Sequence, residues 1–214
     1  MKRALAFAIL LLAAPLSWAL DPAAAQRLAD IQERWAQIQY RTPESQRAAA
    51  FEKLAADSER FTRESPQAAE AWIWNGIVTS SWAGATGGLG ALSKVKDARA
   101  SLEKALALDP SALQGSAYTS LGALYDRVPG WPIGFGDSDK AAEMLLKALQ
   151  LNPNGIDPLY FWGDHLFREK RYGEARATLQ KALQAPARPG REVADQGRRA
   201  EIDALLREIQ AKQD

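Results

Sequence analysis

Three stretches of this chain carry the same five-residue pattern, Leu-x-Lys-Ala-Leu: Leu102-Glu103-Lys104-Ala105-Leu106, Leu145-Leu146-Lys147-Ala148-Leu149 and Leu179-Gln180-Lys181-Ala182-Leu183. An alanine lies four residues before each stretch, and a proline lies four residues after the first two. Apolar residues at steps of three and four form one face of a helix, and proline ends a helix. We therefore interpret each stretch as the second helix of a repeated unit.

A segment centred on a glycine precedes each of these stretches. The three segments carry large apolar residues around the glycine: Trp72…Asn75-Gly76, Tyr118…Leu121-Gly122…Tyr125 and Leu159…Trp162-Gly163…Leu166. Glycine and alanine allow paired helices to approach closely, and the large residues fill the space between neighbouring hairpins. The combined pattern resembles the tetratricopeptide repeat (TPR). The resemblance implies an all-α fold, a TPR-like solenoid of helical hairpins.

The remainder of the chain divides around these three repeats, which we assign to residues 67–187. Residues 20–66 are predicted to form a further, degenerate hairpin, because apolar faces with helical spacing flank the break at Thr42-Pro43-Glu44. Residues 188–214 are predicted to form a C-terminal capping helix, whose polar outer face keeps the last repeat soluble. A helix that docks on a partner is the alternative.

Residues 1–19 have the pattern of a secretory signal peptide. Lys2 and Arg3 precede an apolar run, and Ser17-Trp18-Ala19 has the small residues of a cleavage site. We expect cleavage after Ala19 and a soluble periplasmic protein; an uncleaved membrane anchor is the alternative. The chain has no cysteine, which excludes a lipoprotein anchor on an N-terminal cysteine.

The composition also excludes several kinds of chemistry. With one histidine and no cysteine, the chain cannot form a multi-histidine metal site, a thiolate zinc site or a cysteine nucleophile. A net charge of +1 provides no basic surplus for nucleic acid. Because no acid, base and nucleophile occur in a catalytic motif, we predict a protein that is not an enzyme and holds no metal or cofactor.

Two repeats are longer than the third. In the third repeat, Gly163 and Ala175 are 12 residues apart in the sequence. The equivalent pair is 22 residues apart in the first repeat (Gly76 and Ala98) and 19 in the second (Gly122 and Ala141). We place the insertions at residues 81–93 and 128–137, at the turns inside their hairpins. Equivalent turns of successive repeats lie on one edge of a solenoid, so we expect two neighbouring loops.

The second insertion carries three large apolar residues, Trp131, Ile133 and Phe135, among prolines and glycines. They either fold back to plug the edge of the hairpin or line a binding pocket. As a hypothesis, Trp131 shares a binding surface with Trp82 of the first insertion.

The TPR resemblance implies a second candidate surface, because the first helix of each repeat lines the concave face in this family. Positions on these helices that are free of hairpin packing include Ile77, Tyr160, Asp164 and Phe167. This mixed surface suits a small apolar or weakly polar ligand. On the same helices, His165 is expected on the surface or between paired helices.

Two aspartates are predicted to cap helices. Asp137 precedes a helix that begins near Ser138, and Asp157 precedes Pro158, which suits the first helical position.

A narrower resemblance comes from residues 129–137 followed by Ala141…Leu145…Ala148, which are similar to the T-component of TRAP-type solute transporters. That family implies an internal apolar channel, self-association into a homo-oligomer, and docking to a periplasmic solute-binding protein. Two functions follow as expectations. One is a non-catalytic scaffold or ligand-binding accessory protein of such a transporter, and the other is a general protein-interaction module for the assembly of envelope complexes.

Overall fold

The structure is a computed structural model that describes residues 20–213. The predicted signal peptide, residues 1–19, lies outside the described residues. Within residues 20–213 all regular secondary structure is helical, and the helices in chain order are α1 Pro22–Arg41, α2 Glu44–Glu64, α3 Ala69–Thr86, α4 Gly90–Leu108, α5 Ala112–Arg127, α6 Ser138–Leu151, α7 Ile156–Arg168, α8 Tyr172–Leu183 and α9 Glu192–Gln213.

The first eight helices form four hairpins, α1–α2, α3–α4, α5–α6 and α7–α8, which stack in chain order. The first helices of neighbouring hairpins contact one another, from α1 to α3, α5 and α7. The apolar faces predicted for residues 20–66 are buried, with Ile31, Phe51 and Leu54 in the core. This stacking is the predicted helical-hairpin solenoid.

A glycine–leucine contact recurs in three of these hairpins. A Cβ atom added to Gly76 would lie 2.5 Å from Leu102 Cγ, and one added to Gly163 would lie 2.7 Å from Leu179 Cγ. Gly122 and Leu145 form the equivalent contact in the hairpin between them. The repeated motif therefore has one cause, because a glycine in the first helix leaves room for a leucine of the second.

The first insertion is not the loop that we expected. Helix α3 continues to Thr86 and α4 begins at Gly90, so most of residues 81–93 lengthen the two helices. Ala83 packs in the core, and the positive φ angles of Gly87 and Gly88 close the short turn. The second insertion forms a loop between α5 and α6, which we call the inserted loop (residues 128–137).

The C-terminal helix α9 caps the last hairpin and also reaches the first one. Its second half buries Ile202, Leu205 and Ile209 in an apolar cluster with α7 and α8. Its first half contacts α1, and Ala194 belongs to the main core. The helix is therefore more than the end cap that the sequence predicted, since it joins the two ends of the solenoid.

No helix within residues 20–213 combines the length and the apolar character that crossing a bilayer requires.

Candidate functional site

The predicted concave-face residues are occupied by contacts within the chain. Tyr160 and Asp164 are each only 8% exposed, and Ile77 is half-buried against the core. Asp164 accepts hydrogen bonds from Arg127 Nη2 at 2.7 Å and from Arg168 Nε at 3.4 Å. Phe167 packs on Tyr172, with ring centroids 5.6 Å apart. Tyr160 and Asp164 are therefore closed to a ligand, while Ile77 and Phe167 are partly exposed.

Arg198, near the start of α9, lies against one of these residues, Tyr160. Arg198 lies over the Tyr160 ring at 4.3 Å and donates from Nε to Asp157 Oδ1 at 2.8 Å. Arg188, in the segment before α9, donates from Nη1 to the other Asp157 oxygen at 2.7 Å and from Nε to Asp195 at 2.7 Å. Charged groups from distant parts of the chain thus meet in one partly buried network.

Asp157 is the centre of this network and not the helix cap that we predicted. Helix α7 begins one residue earlier, at the buried Ile156, so Asp157 lies inside the first turn. Burial alone would raise the pKa of its carboxyl group, but Arg198 and Arg188 outweigh burial and lower that pKa to about 2. Asp157 therefore stays ionised, and its charge is used to hold α9. The cap predicted at Asp137 is confirmed, because its side chain accepts from Lys140 N at 3.0 Å.

Arg191, directly before α9, has fewer hydrogen-bond partners than Arg188 and Arg198. Its guanidinium carbon lies 5.0 Å from the centre of the Trp74 ring on α3. Its Nε atom and Trp74 Nε1 are both buried without a hydrogen-bond partner. Burial and the neighbouring Arg188 lower the pKa of Arg191. This contact ties α9 to the second hairpin at an electrostatic cost.

This cluster was not predicted from the sequence. The one feature that could have indicated it is the number of arginines around the last helix break, which is more than a solvent-exposed capping helix needs: Arg188, Arg191, Arg198 and Arg199. The acceptors lie far away in the sequence, so no spacing rule connects them.

His165 lies between paired first helices, one of its two predicted places. It is buried, its Nδ1 is 2.9 Å from Asp126 Oδ1 on α5, and its ring stacks on Trp162 at 5.1 Å. The pair joins α5 to α7 and points to a structural role.

The three large apolar residues of the inserted loop do not all behave alike: one packs inward, and two are exposed. Phe135 folds inward, 5.6 Å from the Tyr125 ring and under the Arg99 guanidinium at 5.0 Å. Trp131 is 91% exposed and Ile133 is 62% exposed, so neither is a plug. Backbone bonds hold the loop in shape: Gly136 N donates to Pro129 O at 3.0 Å, and Asp137 N donates to Tyr125 O at 3.0 Å.

A groove of about 340 Å³ runs between the inserted loop and α4. Its α4 wall includes Lys96, Arg99 and Glu103, and its loop wall includes Ile133 and Phe135. Arg99 Nε donates to Glu103 at 2.7 Å, so this pair is already satisfied.

The predicted partner of Trp131 lies apart from this groove. Trp82 is half-buried on α3, with Lys94 Nζ 4.3 Å from its ring centre. Since Trp131 is almost fully exposed, the two tryptophans do not form a packed pair.

No protein-family model matches the chain, and no curated protein matches it. Among solved structures, the crystal structure of a thermophilic TPR protein in Thermus thermophilus is similar, with a TM-score of 0.59 and 19% sequence identity. The alignment covers 86% of this chain and 82% of that chain. At this identity the likeness concerns the fold alone. The chain therefore has the all-α, helical-hairpin solenoid fold of a TPR protein, with a C-terminal capping helix.

Proposed function

We propose that this protein is a non-catalytic scaffold that binds a protein partner through the inserted loop. The observation that carries the proposal is the 91% exposure of Trp131 on an ordered loop. Burying a large apolar side chain is worth about 1.5–3 kcal/mol, which an exposed tryptophan leaves available to a partner. Tryptophan is also among the residues that contribute most to binding at protein interfaces.

Two further features support a protein partner at the inserted loop: the fixed conformation of the loop, and the contacts already made on the concave face. Loop backbone bonds and the packing of Phe135 hold Trp131 and Ile133 in place before a partner arrives, which lowers the entropy lost on binding. On the predicted concave face, where we expected a small apolar ligand, Arg198 of α9 already covers Tyr160 and pairs with Asp157. A protein partner at the inserted loop is therefore favoured over a small ligand at the concave face.

The groove beside the loop supplies the rest of the docking surface. It is large enough to receive a side chain of the partner, while Trp131 inserts into the partner. The export of the protein to the periplasm and an accessory role in a TRAP-type transporter belong to the same proposal. Their support is the pattern of residues 1–19 and the resemblance of residues 129–137.

The test is site-specific photo-crosslinking in cells that produce the protein. A photoreactive phenylalanine analogue at position 131 is expected to capture one discrete protein. The same analogue at Leu151, which is exposed at the end of α6, is the matched control and is expected to capture none. Capture of the same proteins from both positions, or of none from position 131, contradicts the proposal.

A further inference from the structure

We infer that the partner bound by the inserted loop presents an acidic segment to the groove between that loop and α4, with carboxylate side chains next to a large apolar residue. The inference rests on the proposed function and adds the chemistry of the partner at the same surface. The charged side chains on the α4 wall of the groove are its basis.

The two walls of the groove differ in chemistry. On α4, residues at steps of three and four present one face of the helix to the groove: Lys96, Arg99, Ala100 and Glu103. On the inserted loop, the opposite wall includes the side chains of Ile133 and Phe135. A segment that fills this groove therefore meets charged groups on one side and apolar groups on the other.

Arg99 is held in one position on the charged wall. Its Nε donates to Glu103 at 2.7 Å, and its guanidinium carbon lies 5.0 Å from the centre of the Phe135 ring. The hydrogen bond uses one of the five N–H donors of a guanidinium. Within residues 20–213 the donors on Nη1 and Nη2 have no acceptor, and the side chain is 35% exposed. Arg99 is therefore preorganised to bind a carboxylate through these two nitrogens.

Lys96 adds a second cation one helical turn before Arg99. Its side chain is exposed, and its ammonium group has no ion pair or hydrogen bond in the part of the chain that the structure describes. Among the residues that line the groove, the acid is Glu103, which already pairs with Arg99. Asp97, next to Lys96 in the sequence, does not line the groove. The groove thus has two cations against one acid.

Binding of a partner makes this charge important. A partner that covers Trp131 and fills the groove also removes water from Lys96 and Arg99. Loss of water is unfavourable for a cation that gains no acceptor, and a carboxylate replaces the lost hydrogen bonds with short, charge-assisted ones. A basic or uncharged segment would leave the donors unpaired. A carboxylate beside an apolar residue that packs on Ile133 satisfies both walls of the groove.

The test is an unbiased selection of peptides on the purified protein. The probe is a phage-displayed library of random dodecapeptides, and peptides that also bind Trp131→Ala are discarded. We expect the remaining peptides to share a motif in which aspartate or glutamate adjoins a large apolar residue. Fluorescence anisotropy then measures the affinity of a labelled peptide with this motif.

Two matched variants separate the charge of the groove from the overall charge of the protein. Lys96→Glu is expected to weaken binding of the peptide at least tenfold, because like charges then face each other. Lys104→Glu, exposed on the same helix but outside the groove, is expected to change the affinity by less than about twofold. A peptide with lysine in place of its acidic residues should bind Lys96→Glu more tightly than the wild-type protein. Circular dichroism verifies that each variant is folded.

Three results overturn the inference. The first is an uncharged or basic motif, and the second is an acidic peptide that binds Lys96→Glu and the wild-type protein equally. In both cases the proposed function stands, because the peptides still require Trp131. The third is the absence of any peptide that requires Trp131, whereas crosslinking from position 131 decides the proposed function separately.

Discussion

A single glycine sets the distance between the two helices of a hairpin. We expect Gly163→Leu to destabilise the protein by about 1–3 kcal/mol or more, because the new side chain would overlap Leu179 in a packed core. Chemical denaturation measures the loss. The control is Gly173→Ala, at the exposed start of α8, where an added Cβ meets no atom within 4 Å. Equal stability of the two variants would contradict the assignment of this contact.

Asp157 makes stability depend on pH in a defined direction. Its pKa is lowered from 3.8 to about 2 in the folded chain, so the ionised carboxylate stabilises the fold. This contribution, about 2 kcal/mol, is fully present above pH 4 and is lost as the pH falls towards 2. We expect Asp157→Asn to be about 2–4 kcal/mol less stable at neutral pH.

The pH profile separates this effect from general damage. The acid limb of the unfolding free energy should be flatter in Asp157→Asn than in the wild-type chain, as measured by urea denaturation between pH 2 and 7. Asp139→Asn, an exposed position in the first turn of α6, serves as control and should keep the wild-type slope. Parallel acid limbs in all three proteins would disprove the role of Asp157.

The inserted loop combines one anchoring residue with exposed ones. We expect Trp131→Ala to change stability by less than about 0.5 kcal/mol, because the side chain is exposed, and to remove capture of the partner. Phe135→Ala should cost about 1–3 kcal/mol, since its ring packs on Tyr125. Thermal unfolding and partner capture are measured on both variants. A large loss of stability in Trp131→Ala would show that the loop is a plug.

The contact between α1 and α9 joins the first hairpin to the last. We expect Gly197→Leu to lower the stability of the whole chain by about 1–3 kcal/mol, because a side chain at this position collides with Tyr40. Calorimetry provides the measurement, and Asp203→Leu, on the exposed face of the same helix, is the control. An unchanged melting temperature in Gly197→Leu would mean that closure by α9 adds nothing to stability.

The fold could be predicted because its determinants are local. Leu28 and Ile31, or Leu102 and Ala105, lie within one helical turn of each other, so their spacing alone reveals a buried face. The glycine and leucine of each hairpin recur with the repeat, so one interpretation explained three hairpins. The all-α solenoid was therefore confirmed, while the first insertion was wrongly predicted as a loop, since Ala83 packs in the core and α3 continues past it.

The concave face could not be predicted in the same way. Periodicity showed that residues 188–214 contain an amphipathic helix, but the place where that helix packs depends on contacts up to 161 residues apart, such as Tyr40 with Glu201. The charged network follows from that packing, because Asp157 and Arg198 meet, partly shielded from water, only once α9 has packed against α7. The sequence by itself determines the helices and their apolar faces, because these depend on residues within a few positions of each other. Electrostatic contacts between distant residues are decided by the tertiary structure, because they form only when the hairpins have stacked and α9 has packed against them.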